Sequence, residues 1–269
     1  MSVYQSESPD NLSKAFTSIW TNQTVKPDQV VLVQDGPLPS ELASEIGAWR
    51  KTLGDCLAVI EFSENRGLGA ALNAGLSACR NELVARMDTD DIAFAERFAI
   101  QSDYLSFHPE VDVVGSFVEE MDESGIPLGL RRMPVDHEAI RDHLWASPIV
   151  HPTVMMRRSR VLSAGNYDPA CRRRQDYELW FRCAENGLRF YNLPQPLLYY
   201  RFGAGTHKKQ SPRLAWEQAM IGDRGATRLK MPVYQRLACF IPFVRSLLPT
   251  GVQHVVYRVL KPFDPRQKV

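Results

Sequence analysis

Residues 82–91 read ELVARMDTDD: an apolar strand signal at Leu83-Val84-Ala85, then Asp88, Asp90 and Asp91 in quick succession. Carboxylates this close repel one another, and gathering them costs free energy unless a cation or hydrogen-bond donors compensate. Oxygen ligands suit hard divalent cations, Mg²⁺ or Mn²⁺, which bridge protein carboxylates to substrate phosphates. Asp is also a common helix cap, and Asp91 is placed to cap the segment that follows. A cap accounts for one carboxylate. Three of them point to a metal or nucleotide site.

Outward from this stretch, up to about residue 118, strand and helix patterns alternate. Apolar strands are signalled at QVVLVQ (29–34), which runs into Asp35-Gly36, at Leu57-Ala58-Val59-Ile60, and at VDVVGSFV (111–118). Between them, Ser8-Pro9 opens a helix with Leu12, Phe16, Ile19 and Trp20 on one face, and Pro39-Ser40 opens another with Leu42, Ile46, Trp49 and Leu53 inward. Further helices fall at about 68–80 and around Phe94 and Phe98. Such alternation predicts an α/β fold, a mostly parallel central sheet flanked by helices. Ligands of these sheets bind outside the carboxyl ends of the strands, where Asp35 and Asp88 sit. The second half is more mixed. EEMDESGIPLGLRRMP reads as a turn between strands, VHPTVMMRRS as a strand, and DYELWFRCAENG as a helix closed by Gly187. LRFYNLPQPLLYYRF predicts two short strands broken by prolines, and residues 211–229 a helix.

The 269 residues are 44% hydrophobic and 23% charged, with a formal net charge of +1, which suits one large globular domain or a domain with an extension. Near neutrality argues against a nucleic-acid partner. Five scattered cysteines, never in a C-x-x-C pair, read as reduced cytosolic thiols and not as a zinc site. MSVYQSESPD lacks the basic and apolar regions of a signal peptide, and no run of 18 apolar residues predicts a membrane-spanning helix. The expectation is a cytoplasmic protein.

RGLGAALNAG (66–75) begins like a dinucleotide fingerprint, but Leu72 stands at the third glycine position and no ribose-binding acid follows at the required spacing. Hydride transfer is therefore rejected. A tight strand–helix junction and a helix N-terminus facing a phosphate both stay open. RRRQDYELWF (172–181) sets three arginines before Asp176. Asp176 and Glu178 at a helix start are favoured by the helix dipole, and equally suit a general base beside cations that hold an anionic substrate. His151, before a proline, reads as a packed residue. His207, in the glycine-rich basic loop FGAGTHKKQS, reads as a third metal ligand or a phosphate contact.

In order and spacing, MSVY, VLVQDG, ENRGLGAALNAGL, RMDTDD, HPTVMMRRS and QDYELWFR resemble the family 2 glycosyltransferases, inverting enzymes with a GT-A fold. The likeness runs from residue 1 to about 205, and within the family it is nearest to bacterial transferases that build exopolysaccharide or O-antigen units, of the amylovoran type. It implies a GT-A catalytic domain over residues 1–205, with a nucleotide-binding half to about 118 and an acceptor half over about 119–205. A helical C-terminal extension, 206–269, would follow. By the same resemblance Ser2 and Tyr4 lie against the base of a nucleotide sugar, and Asp35 hydrogen-bonds it. Asn65, Arg66 and Asn73 line the nucleotide and Asp88 meets the ribose. Asp90, supported by Asp91 and His207, holds the Mn²⁺ or Mg²⁺ that bridges the diphosphate. Asp176 takes the proton from the acceptor hydroxyl, and one displacement inverts the anomeric centre.

Three departures stand out. Gln34 replaces the first of two family acids before Gly36, Gln175 replaces a Glu beside Asp176, and only Met1, Ser2 and Val3 precede Tyr4 where relatives carry several more apolar residues. Hence a short first strand or a start lying upstream is expected. Two rival functions remain: a sugar-nucleotide nucleotidyltransferase and a non-catalytic sugar-binding module. The first usually has a glycine-rich basic loop after its first strand, yet QSESPDN (5–11) has neither glycine nor base; the intact acid set speaks against the second.

In the tail, Val252, Val255, Val256, Val259 and Leu260 recur at helical spacing, and Arg236, Arg245, Arg258, Lys261, Arg266 and Lys268 face the single acid Asp264. An apolar stripe beside basic residues suits the surface of an anionic membrane, here the inner face of the cytoplasmic membrane. A helix packed on the core is the other reading. The lipid-linked saccharide acceptors that the resemblance implies favour the membrane.

Overall fold

The computed structural model describes residues 1–171, 173–202 and 211–248. Three strands, β1 (Ser2–Val3), β2 (Val30–Gln34) and β3 (Leu57–Glu61), form a parallel sheet in that order. The apolar run of β2 is nearly all buried, as expected for a strand covered on both faces. Helix α1 (Pro9–Phe16) is capped by Ser8, whose hydroxyl accepts from the Asn11 N–H at 3.4 Å, with Pro9 in the first turn. Helices α2 (Ser40–Leu53) and α3 (Leu68–Ala78) complete this half, and Leu42, Ile46, Trp49 and Leu53 of α2 are buried as their spacing predicts.

The second sheet contains β4 (Leu83–Ala85), β5 (Ile92–Ala93), β6 (Val113–Met121), β7 (Pro127–Arg131), β8 (Met155–Arg157) and β9 (Phe190–Arg201), in the order β4-β8-β6-β9-β5, with β7 beside β6. Parallel pairing there is confined to β6 with β9; the other pairs are antiparallel. The α/β class holds; the first sheet is all parallel and the second is mixed. Beyond Asp88 the strands are joined by short turns as well as helices, and short turns admit antiparallel neighbours.

Two local expectations are corrected. LRFYNLPQPLLYYRF is one strand, β9, because the register opposite β6 slips from Ser116↔Leu193 to Phe117↔Pro196. The slip places Pro194 and Gln195 in a bulge, where no ladder donor is required. The helix after the acidic cluster, α4 (Arg97–Phe107), begins after Phe94 and is capped at Glu96, so Asp91 caps no helix.

The acceptor half adds α5 (His137–Asp142), α6 (Arg158–Ser163) and α7 (Gln175–Glu185). Helix α8 (Pro212–Arg228) lies against α7: Gly222 faces Tyr177 and Cys239, and Gly225 faces the Phe181 ring so closely that a Cβ at either position would overlap them. Helices α9 (Val233–Ala238) and α10 (Ile241–Ser246) follow, with Val233, Tyr234, Leu237, Ile241, Val244 and Leu247 exposed. The stripe from Val252 to Leu260 and His207 lie outside the described residues.

Candidate active site

The strand β4 delivers its chain directly into Asp88, and carboxylate oxygens of Asp88, Asp90 and Asp91 come within 4.8 Å of one another. Each is held differently. Asp88 is half-buried and ion-pairs with Arg86, itself 6% exposed. Asp91 is buried, and its Oδ1 accepts the Arg201 N–H at 2.8 Å. The Asp90 carbonyl accepts from Arg201 Nε at 2.8 Å, so one residue at the end of β9 fixes two of the three acids. Beneath them Arg97, fully buried, donates from Nη2 to the Arg86 carbonyl at 2.7 Å and from Nε to Gln101 at 3.0 Å.

Electrostatically the cluster is starved of positive charge. Burial, then Asp88, raises the Asp90 carboxyl above its ordinary range. Burial, then Asp88 and Asp90, pushes Asp91 well above it. A fourth acid, Glu7 in the loop after β1, is pushed up to about 7 by burial and by Asp90 and Asp88, against a hydrogen bond with Thr89. Burial disfavours the Arg86 charge, yet Asp88 holds that guanidinium above its usual value. Asp91 Oδ2 is buried with no partner. An all-oxygen set with an orphaned buried acceptor and unmatched negative charge fits a divalent cation such as Mg²⁺ or Mn²⁺.

At the end of β2, Asp35 is also buried, but its oxygens are occupied: Oδ1 accepts the Arg66 N–H at 2.7 Å and Oδ2 the Gly67 N–H at 3.0 Å. Its carbonyl accepts from Asn65 Nδ2 at 3.2 Å. Asp35 therefore clamps the loop that carries Asn65 and Arg66, and the Arg66 guanidinium lies over the Phe62 ring at 4.8 Å. Gly67 has φ +89°, and Gly69 lets α3 approach the carbonyls of Asp168 and Cys171 so closely that no Cβ fits. The glycines of RGLG thus serve a tight turn and close packing. Asn73 donates to the Tyr167 carbonyl and accepts from Asn166 Nδ2 at 3.1 Å, tying α3 to the loop that holds Tyr167. Ser2 lies in β1 and Tyr4 is exposed just after it.

Asp176 is in the first turn of α7, after Arg174 in a left-handed conformation. Glu178, two residues on in the same turn, is engaged by both Arg182 Nε at 2.9 Å and Nη2 at 2.7 Å, which leaves Asp176 as the acid of that turn without an arginine partner among the described residues. The Tyr167 phenol is buried and raised chiefly by burial, with Arg86 opposing and Asp176 and Asp88 adding to it. Its hydroxyl meets His151 Nε2 at 2.7 Å, and burial holds that imidazole neutral, far below its ordinary pKa. Sequence reading missed Glu7, Arg201 and Tyr167. It missed Arg86 as well, although that residue stands just after β4, two residues before Asp88.

The profile of Glycosyl transferase family 2 matches residues 1–165. The chain is 39% identical over 266 residues to the amylovoran biosynthesis glycosyltransferase AmsE of Erwinia amylovora, covering 96% of each chain. It is 35% identical over 211 residues to an Escherichia coli UDP-Gal:alpha-D-GlcNAc-diphosphoundecaprenol beta-1,3-galactosyltransferase, covering 78% of this chain and 75% of that one. In architecture it is similar to the mannosyltransferase PcManGT of Pyrobaculum calidifontis, solved with GDP-Man and Mn²⁺, at a TM-score of 0.60 and 17% identity, covering 98% of this chain and 80% of that one. A strand-end acid cluster on this fold, with a family match over more than half the chain, identifies the protein as a glycosyltransferase belonging to glycosyl transferase family 2.

Proposed function

We propose that the protein transfers a sugar, with inversion, from a nucleotide-sugar donor to a hydroxyl of a lipid-linked saccharide during assembly of a cell-surface polysaccharide. The observation that carries this reading is the convergence of Asp88, Asp90 and Asp91 oxygens within 4.8 Å just after the carboxyl end of β4. Asp90 and Asp91 would hold Mn²⁺ or Mg²⁺, which when bound supplies Lewis-acid stabilisation of the departing diphosphate. Asp88, oriented by Arg86, faces the ribose. Ser2, Tyr4 and the Asp35-clamped loop bearing Asn65 and Arg66 line the base, with Asn73 bracing α3 behind them. Asp176 takes the acceptor proton as that oxygen attacks the anomeric carbon in one displacement. His207 is proposed as a further ligand on sequence grounds.

Lipid linkage of the acceptor is supported by the relative named for a diphosphoundecaprenol substrate. Exposed apolar residues on α9 and α10 beside Arg236 and Arg245 support docking on an anionic membrane surface. No helix among the described residues is long and apolar enough to cross a membrane.

Calorimetric titration of UDP, GDP and dTDP, each with and without Mn²⁺, tests the reading on the wild type and on Asp90→Ala. Metal-dependent binding of one nucleotide, lost in the variant, is expected. Tight binding that ignores both metal and Asp90 would sink the metal assignment.

A further inference from the structure

Helix α3 stands in the nucleotide half and α7, which carries Asp176, in the acceptor half. The loop that leaves α6 at Ala164 and heads for α7 is fastened to both. Asn73, midway along α3, donates from Nδ2 to the Tyr167 carbonyl, 94 residues away in the chain. Asn166 answers in the other direction. Its Nδ2 donates to the Asn73 carbonyl and to Ser77 Oγ, each at 3.1 Å, and its Oδ1 accepts the Tyr167 N–H at 2.7 Å. Asn166 is buried and makes these bonds at φ +57°, a conformation that Asn adopts more readily than most residues. One turn before Asn73, a Cβ on Gly69 would overlap the carbonyl oxygens of Asp168 and Cys171. Gly69, Asn73 and Ser77 are spaced by four, so a single face of α3 holds the loop from Asn166 to Cys171.

Helix α7 grips the same loop from the other side. Arg182 Nη1 donates to the Ala164 carbonyl at 2.6 Å while its Nε and Nη2 hold Glu178. Burial first, then Glu178, Asp168 and Asp176, push the Cys171 thiol up to about 11, which puts the acids of α7 beside the end of the loop. The other end of α3 follows the segment that Asp35 clamps through the Arg66 and Gly67 N–H groups. One helix therefore connects the strand-end loop of the nucleotide half to the loop that leads into α7. Such bonds would hold any loop. These ones cross between the halves, and proton abstraction is sensitive to placement at the scale of an ångström.

We propose that the face of α3 formed by Gly69, Asn73 and Ser77 positions the catalytic base: it holds the loop 166–171, and through that loop Asp176, at a fixed place relative to the bound nucleotide sugar. The inference rests on the role proposed above for Asp176. It makes Asn73 a positioning residue and not a nucleotide ligand.

The test compares the wild type with Asn73→Ala, Gly69→Ala, Asp176→Asn and the double variant Asn73→Ala/Asp176→Asn. Gly69→Ala favours the helix itself, so its effect falls on the loop. Hydrogen exchange is followed at the Glu178 N–H, which bonds the Arg174 carbonyl in the first turn of α7. Both α3 variants should speed it at least about fivefold while the amides of β2 keep their wild-type rates. Turnover is read as release of nucleoside diphosphate from UDP-Gal, UDP-GlcNAc and GDP-Man with Mn²⁺ present. Water replaces the acceptor: its oxygen bonds to the anomeric carbon, the bond to the diphosphate breaks, and the proton goes to Asp176. Asn73→Ala should slow this release about 10- to 100-fold with calorimetric nucleotide affinity changed by less than about twofold, and it should add no further loss once Asp176 is Asn.

Unchanged exchange at Glu178 in both α3 variants overturns the proposal. A loss of nucleotide affinity as large as the loss of turnover makes Asn73 a donor ligand and overturns it too. So does a full further loss in the Asp176→Asn background. Wild-type turnover in Asp176→Asn would instead remove the base assignment on which the proposal stands, an outcome distinct from an inactive Asp176→Asn beside fully active α3 variants.

Discussion

Two acid sites follow the ends of two strands, the parallel β2 and the antiparallel edge strand β4, and they are opposites. Asp35, at the end of β2, spends both oxygens on the N–H groups of Arg66 and Gly67, and it lies inside a finished hydrogen-bond clamp. The cluster after β4 holds three acids with one salt-bridge partner, an orphaned Asp91 Oδ2, and raised carboxyl groups at Asp90 and Asp91. A satisfied acid stabilises the fold; an unsatisfied group of acids waits for a ligand. Position at a strand end, which the sequence reveals, does not separate the two. Hydrogen-bond satisfaction does.

The comparison can be broken by substitution. Replacing Asp176 by Asn should lower kcat on the order of 10²–10⁴-fold while calorimetry finds nucleotide affinity unchanged; a parallel loss of affinity would move Asp176 into the donor site. Asp90→Ala should cut kcat/KM by about 10²–10³-fold with Tm equal to or above that of the metal-free wild type, because a repelling charge is removed. A Tm well below it would make the cluster structural. Asp35→Ala is expected to cost about 2 kcal/mol in urea unfolding, since two loop N–H groups lose their acceptor. Should it leave stability intact and abolish nucleotide binding alone, the contrast drawn above is wrong.

The smallest effect is one of pH. Glu7 has a folded pKa of about 7, above its ordinary value of 4.5, so the native state binds the proton more tightly than the unfolded chain does. Its contribution to stability is present below about 4.5 and falls as pH rises toward 7. Melting in EDTA across this window should show the wild type losing stability relative to Glu7→Gln, and added Mn²⁺ should shrink the difference. A flat difference would place Glu7 outside the field of the cluster.

Much of the site could be read before folding because its crowding is local: Asp88, Asp90 and Asp91 are neighbours in the chain, and no fold separates them. What stayed hidden is long-range. Arg201 grips Asp90 and Asp91 from a separation of 110 residues or more, and no pattern in YYRF announces it. Tyr167 reaches His151 and the field of Asp176 through a loop whose sequence is ordinary. The parallel strands β2 and β3 were legible as apolar runs with helices between them. The continuous β9 was not, because prolines forbid ladder donors in general and only the partner strand decides where a bulge can absorb them.

The contact of α8 with α7 has a mechanical consequence. Gly222 and Gly225 let the Tyr177 and Phe181 side chains of α7 pack directly on the α8 backbone, so the helix that carries Asp176 is bolted to the segment that carries α9 and α10. With the exposed face of α10 resting on a bilayer, the height of Asp176 above the lipid would be set by that rigid joint. The C-terminal helices would then work as a ruler, admitting only those acceptor hydroxyls that a lipid-anchored chain presents at one distance from the surface.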